Sequence, residues 1–497
     1  MNFAVHKTIC SCRVGVLRLE NHEIQTPGCS LYSRGGAVPH LATDVLHSIG
    51  NLPSIVHLSL QTIIDQPGTK VINKSSYNGI KQFLGVEEFI SYLSIQDPVQ
   101  DIREGYNEEK TVSVWTPGGR KKIDVNQFIT VLKAFKPNIA ECLCDTIPAS
   151  GQTEKRIRKS VDRTLNFLDK CIEEKEMSKD VTSCNLFGVI EGSHSEKERI
   201  RSAKDTSQRP VAGFVLEGFS SSASDWCKLL EKTVESLPDD KPRLIHGIGT
   251  PDEVVAAVAC GIDIFDSSYP LTSSRRQTKV VFISSLRKVS VHTQPLSLVE
   301  QWLSRLVASM YTARLMRLEQ QKLTTIKLKL PQTFHASSHT WYSAAERGCA
   351  LDIKWSRKRF KPELTYSPSA PEALKGEQTS SDDSLNQLSN STDKKEPMDK
   401  GTLYEINLNH SRYSSDFTPL VSSCTCYCCT NHTRAYIYHL LVTKEMLAKV
   451  LLMTHNLQEY FQFFSQIRLS IEEDKFQMLK EDFLANSFSL TERCLVP

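Results

Sequence analysis

Between about Val112 and Pro270, short runs of β-branched and apolar residues alternate with amphipathic helical stretches, and this alternation restricts the fold more than any other feature. The strand candidates are Thr111–Trp115, Asn138–Leu143, Leu186–Ile190, Gly213–Leu216, Arg243–His246 and Ile262–Phe265. From Glu154 to Lys175, the residues Ile157, Val161, Leu165, Leu168 and Ile172 are spaced 4, 4, 3 and 4 apart, which is one face of a helix. The sequence Thr250-Pro251-Asp252-Glu253 reads as a capping box with proline at the first helical position, opening a helix that carries Val254, Val255 and Val258. Strands separated by helices run parallel, because each crossover carries the chain back to the end where the last strand began. A (β/α)8 barrel and an open doubly wound sheet both satisfy this pattern. No Gly-rich phosphate loop follows any candidate strand, so the barrel is the expected architecture.

The chain has 497 residues, enough for two to four ordinary domains or one large domain with additions. Hydrophobic residues make up 40% and charged residues 24%, which excludes wholesale disorder and fibrous repeats. No apolar run is long enough to span a bilayer, and Met1–Thr8 lacks the apolar core of a secretory signal. The 15 cysteines are scattered apart from one cluster, which suits a reducing compartment with one metal candidate better than a disulfide scaffold. A soluble intracellular protein is expected.

Two segments interrupt the pattern. Between Thr272 and Thr340 there are 11 Lys/Arg against Glu300 and Glu319, so that stretch has a net charge of +9 while the whole chain carries only +3. Within it, Val299, Trp302, Leu306 and Met310 could line one helix face. The second segment, Ser367 to Lys400, is rich in Ser, Asp, Lys and Asn and nearly free of large apolar residues. Such a composition cannot bury enough surface to offset its ordering entropy, so a disordered loop is expected.

The cluster is Cys424-Thr-Cys426-Tyr-Cys428-Cys429, followed by a helical region containing His432, His439 and His455. Zinc takes four tetrahedral Cys/His ligands, and closely spaced thiolates on a turn supply two or three of them. A histidine from a later helix would pin turn to helix; spacing alone leaves the choice among the three open. With every position filled by protein, the site would be structural.

Cys424-x-Cys426-x-x-Cys429, with His455 26 positions further on, resembles the zinc motif of the tRNA-guanine transglycosylases. The run Asn431 to Thr443 is similar to the segment that accompanies it, as is Lys241 to Glu253 leading through Gly261-Ile-Asp-Ile-Phe-Asp266. The resemblance implies a barrel with an attached zinc-binding subdomain, one Zn2+ per chain held by Cys424, Cys426, Cys429 and His455, and Cys428 free. It also implies an exchange of the wobble guanine of a tRNA anticodon for a 7-deazaguanine base, queuine in eukaryotes. Asp266 occupies the position of the nucleophile that attacks ribose C1′.

The rest of the site departs from the family pattern. Catalytic members carry Asp-Ser-Gly-Gly-Phe-Gln where this chain reads Val56-His-Leu-Ser-Leu-Gln61, so Val56 replaces the acid/base Asp. The base-recognising Asp falls at Cys144, with Asp145 one place away. The Val-Gln-Gly-Gly loop becomes Ile190-Glu-Gly-Ser193, and the Gly-Gly-Leu loop becomes Glu217-Gly-Phe219. Glu346 to Leu351 looks like the family sequence that should follow Pro270, which makes the basic stretch an insertion. The pattern is therefore similar to the non-catalytic branch of the family, which forms a heterodimer with a catalytic paralogue and helps to hold tRNA.

The expected layout is a first barrel part at 1–270, a basic insertion at 271–343, a barrel continuation at 344–366, a disordered loop at 367–402, and the barrel end with zinc subdomain at 403–497. An active transglycosylase using Asp266 with Asp145 is the alternative. A free-standing RNA-binding protein built on the basic stretch is a third reading, weakened by the lack of interleaved aromatic residues there. The resemblance implies a cytoplasmic protein and leaves room for peripheral association with the mitochondrial outer membrane. Finally, Arg434–Ile467 is apolar on more than one face, through Ile437, Leu440, Leu441, Met446, Val450, Leu451, Leu457, Phe461 and Phe464. The surplus face is expected to meet the partner subunit, unless both faces pack internally.

Overall fold

Eight parallel strands close into a barrel in the computed structural model, which describes residues 1–271 (except 104, 179, 180, 182, 222 and 224), 280–282 and 405–483. The strands are β1 (Gly28–Tyr32), β2 (Ile55–Ser59), β3 (Ile90–Ser94), β4 (Ile139–Glu141), β5 (Asn185–Ile190), β6 (Gly213–Leu216), β7 (Arg243–Ile245) and β8 (Ile264–Asp266). The ring closes where Ile264, Phe265 and Asp266 of β8 pair with Gly28, Cys29 and Ser30 of β1. The barrel is thus complete by Asp266, and the described residues all belong to one compact unit made of 1–289 with 397–497. The segments 283–404, including the expected barrel continuation, the low-complexity loop and nearly all of the basic stretch, lie outside the described residues.

Side chains alternate along each strand, and the alternation sorts them into two cores. Ile55, Ile90, Tyr92, Ile139, Phe187, Val189, Val215, Leu244 and Ile264 fill the barrel interior. Leu17, Leu19 and Ile24 join them from a three-stranded antiparallel sheet, Asn2–Ile9, Cys12–Leu19 and His22–Thr26, which plugs the N-terminal end of the barrel. The interior is tight: a Cβ on Gly213 would sit 2.6 Å from the Phe187 ring. The outward positions, such as Leu31, Val56, Leu58, Leu93, Leu216 and Phe265, pack under the helices. Each fully buried Leu, Ile or Phe contributes roughly 1.5–3 kcal/mol.

The sheet is anchored by a buried ion pair. Arg13 donates to both carboxylate oxygens of Asp263 just before β8, at 2.8 and 2.5 Å, and Asp263 also accepts the Arg243 N–H at 2.7 Å. Both side chains are buried, so removing one partner strands a charge in a low dielectric. Arg13→Ala should cost about 3–5 kcal/mol, read as a lower urea midpoint with unchanged slope.

Two expectations from the strand pattern need correction. Thr111–Trp115 is not a barrel strand: Val112–Thr116 pairs antiparallel with Gly119–Ile123 in a hairpin between β3 and β4. Strands β1 to β3 lie upstream of the alternating region, and the sequence pattern does not mark them. The helices between them, Thr43–His47, Leu60–Ile63, Gly68–Lys74 and Ile80–Leu84, span four to seven residues, too short for a helical stripe to show. The helix expected over 154–175 runs from Glu154 to Met177 and buries Ile157, Val161, Leu165 and Leu168.

The apolar stretch 434–467 is two helices, Arg434–Val442 and Met446–Glu472, broken where Lys444 takes a left-handed φ of 59°. The second lies against β1 and the N-terminal sheet; its Phe464 ring meets Phe265 of β8 at 5.5 Å, and Arg468 donates to the Pro27 carbonyl at 2.8 Å. Most of the supposed surplus face is therefore internal: Ile437, Leu440, Leu441, Leu451, Leu457, Phe461 and Phe464 are buried. The exposed remainder is Tyr436, Val442, Met446 and Leu447.

Candidate metal centre and barrel mouth

The short helix Tyr427–Asn431 begins at Cys426, whose Sγ accepts the Cys429 N–H at 3.4 Å. That turn folds Cys424, Cys426 and Cys429 around His455, which reaches in from the third turn of the long helix. Its Nδ1 lies 3.6, 3.5 and 3.2 Å from the three sulfurs, and all four ligand atoms fall within 4.8 Å of one another. A tetrahedral metal with Zn–S of about 2.3 Å and Zn–N of about 2.0 Å separates its ligand atoms by about 3.5 Å, so the donor set fits such an ion. The Cys426 thiol is pushed down to about 4, by hydrogen bonds from Cys424 and Cys429 and by backbone N–H groups, while the same sulfur contacts push Cys429 up, so one thiolate of the cluster forms ahead of the others.

Cys428 points elsewhere. It packs with Leu408, Leu420, Leu451 and Leu452 in the subdomain core, where burial pushes its thiol up. His432 stacks on Tyr436 with ring centroids 5.1 Å apart, and His439 is not among the cluster's ligand atoms; neither joins the ligand group. Tertiary packing thus decides among the three histidines.

At the C-terminal ends of the strands, where barrel enzymes place their catalytic groups, titratable residues follow the last apolar inward position. Asp266 at the end of β8 is buried, and its carboxylate accepts the Gly247 and Ser268 N–H groups, each at 2.9 Å. Beside it His246, after β7, makes an ion pair through Nδ1 with Glu217, and its Nε2 meets the Tyr92 hydroxyl at 3.1 Å. That hydroxyl lies 3.4 Å from Glu141 of β4. Burial pulls His246 down, but Glu217 above all, with Glu141 and Asp266, lifts it to about 9. His57 of β2 stacks on His246 at 5.2 Å and is driven well below its ordinary range by burial and by that neighbour. Burial and Glu217 push Glu141 up to about 7.

The expected site residues fare differently. Val56 faces the helix-side core, and its neighbour His57 is the group that points into the barrel. Cys144 is buried, 3.3 Å from Glu141 and 3.0 Å from the Thr146 hydroxyl. Asp145 is fully engaged: Arg156 donates to it at 2.9 and 2.8 Å, Arg163 at 3.0 Å and Asn107 at 2.9 Å. It has no free oxygen for a proton or a base. The two altered loops are tied together by Arg199, which donates to the carbonyls of Ile190, Ser193, Glu217 and Gly218 and lies 4.0 Å from the Phe219 ring centroid. Nothing in the sequence pattern singles out His57, Glu141, Arg199 and His246 as a group. Three of them do carry a signal, as a polar residue at the inward end of an apolar strand.

The profile of the queuine tRNA-ribosyltransferase family matches residues 9–324 and 353–489. The queuine tRNA-ribosyltransferase accessory subunit 2 of Xenopus tropicalis is 32% identical over 487 residues, covering 97% of this chain and 98% of that one. Its Homo sapiens counterpart is 33% identical over 495 residues, with the same coverage, and that of Gallus gallus 35% over 463 residues, covering 92% and 89%. With a closed parallel barrel, a Cys3His group at the expected positions and this similarity along nearly its whole length, the chain belongs to the queuine tRNA-ribosyltransferase family and is similar to its accessory subunits.

Proposed function

We propose that this chain is the non-catalytic subunit of a heterodimeric queuine tRNA-ribosyltransferase. In this role it pairs with a catalytic paralogue and supports exchange of the wobble guanine for queuine in the tRNAs for Asp, Asn, His and Tyr. The observation that carries the reading is a barrel mouth whose polar side chains are tied to one another. Exchange needs a nucleophile, a second carboxylate free to move a proton, and an open cradle for a purine. Here Val56 stands where the resemblance places the acid/base Asp, Asp145 is locked by two arginines, Glu217 is spent on His246, and Phe219 with Arg199 lies in the altered loops.

The ion at the Cys3His group is zinc in this reading, because three thiolates and one imidazole suit its tetrahedral, borderline-soft preference. It would supply a cross-link, not chemistry: the turn at 424–429 is tied to the helix Met446–Glu472 that packs on the barrel.

The partner would dock on the zinc subdomain, where Tyr436, Val442, Met446 and Leu447 remain exposed beside the Tyr427–His432–Tyr436 stack. Val442→Asp with Met446→Glu should abolish co-elution with the catalytic subunit while leaving circular dichroism and metal content unchanged. Retained co-elution would move the interface elsewhere. We assign the complex to the cytoplasm, with peripheral docking on the mitochondrial outer membrane; among the described residues no helix is long and apolar enough to cross a membrane. Fractionation with a salt wash of the mitochondrial pellet tests that assignment.

A further inference from the structure

We propose that the mouth of this barrel is a pH-sensitive lock, in which the buried Glu141 and His246, with the half-buried Glu217, hold the strand ends together only while the cluster keeps its protons. Geometry comes first. Glu217, His246, the Tyr92 hydroxyl and Glu141 form one polar chain across the barrel, contributed by the ends of β6, β7, β3 and β4. Glu141 and His246 are almost wholly removed from solvent. Other elements present further titratable groups: His57 from β2, Cys144 and Asp145 after β4, Glu191 after β5, Asp266 from β8, and Arg199 from the helix Glu196–Ser207.

Two basic side chains, His246 and Arg199, face the carboxyl groups of Glu141, Glu191, Glu217 and Asp266, so the mouth approaches neutrality only when some of those carboxyls keep their protons, and burial raises Glu141 and Glu191. Removing the protons of Glu141 and His246 leaves buried carboxylates uncompensated, which a low-dielectric interior penalises heavily.

The sign follows from the direction of the shifts. Glu141 is raised from 4.5 to about 7 and His246 from 6.5 to about 9, so the folded state binds both protons more tightly than the unfolded chain. Their contribution is full below the unfolded values and is lost as the pH rises, through about 7 for Glu141 and about 9 for His246. The same three residues place ligand atoms within 4.8 Å of one another, a spacing that also suits a divalent cation. Both ring nitrogens of His246 are already engaged, by Glu217 and Tyr92, which favours protons over a metal.

Thermal melting of the full chain between pH 6 and 9.5 tests the lock. The midpoint should fall by about 5 °C over that range. Glu141→Gln keeps the shape and has no proton to lose, so it should remove the part of the fall that lies below about pH 7 and keep the part that runs from about 6.5 to about 9. Should that variant fail to fold, the His246 ring proton in the unaltered chain should titrate by NMR with a midpoint near 9. A flat or rising midpoint, an unchanged profile in Glu141→Gln, or a His246 midpoint near 6.5 would overturn the proposal. So would stabilisation by Mn2+ at pH 8 that Glu141→Gln abolishes, which would mark a metal site instead.

Discussion

Purified alone, the chain should incorporate no labelled guanine or queuine into tRNA, while its complex with the catalytic paralogue should do so readily. A missing general acid/base group typically costs 10²–10⁴-fold, so a deficit of roughly 10³-fold or more is expected. The sharper arm is Asp266→Ala in the complex. Asp266 is held by the Gly247 and Ser268 amides, and Asp145, its partner in the alternative reading, is locked by Arg156 and Arg163. The variant should therefore change the exchange rate by less than about twofold, provided gel filtration shows an intact heterodimer. A large drop in an intact complex would make Asp266 a working nucleophile and restore the reading of an active enzyme with an altered site.

Cys426→Ala should empty the metal centre, from one zinc per chain to none, and unfold the subdomain around it. Structural Cys/His zinc sites contribute on the order of 10 kcal/mol to folding, far more than the small core of Leu408, Leu420, Ile437 and Leu451 is expected to hold without the ion. Hydrogen exchange should then rise across 405–445 and in the first turns of the helix Met446–Glu472, with the barrel strands unaffected. Cys428→Ala is the control: its thiol lies in the apolar core outside the ligand group, so zinc should stay. Elemental analysis decides both, and undiminished zinc in Cys426→Ala would remove that residue from the centre.

Parts of the fold and the site are legible in the amino-acid order and parts are not, for reasons specific to each element. The helix Glu154–Met177 declares itself because its apolar residues recur every three to four positions over more than four turns, a signal that local sequence carries unaided. The ligands Cys424, Cys426 and Cys429 are legible for a similar reason, since their spacing already fits one turn. Strands β1 to β3 are not legible. Gly28-Cys-Ser-Leu-Tyr32 mixes small and polar residues, and only its pairing with β8, over 230 residues away, makes it a barrel strand. The hairpin at 112–123 shows the converse: a β-prone run whose partner is local, so that periodicity alone places it in the wrong sheet.

By itself, then, the amino-acid order determined the repeating strand–helix plan, the thiolate turn and the family to which the chain belongs, because each rests on residues close together in the chain. Tertiary structure decided what the site can do. Whether His57 or Val56 faces the barrel axis depends on the stagger at which eight strands close, and a shift of one residue exchanges the two. Whether Asp145 is a free carboxylate depends on Arg156 and Arg163 arriving from the next helix, and whether His455, not His432, completes the Cys3His group depends on how the last helix packs on the barrel. Those outcomes are set by long-range closure and by the cost of burying unpaired charge, neither of which has a local sequence signature.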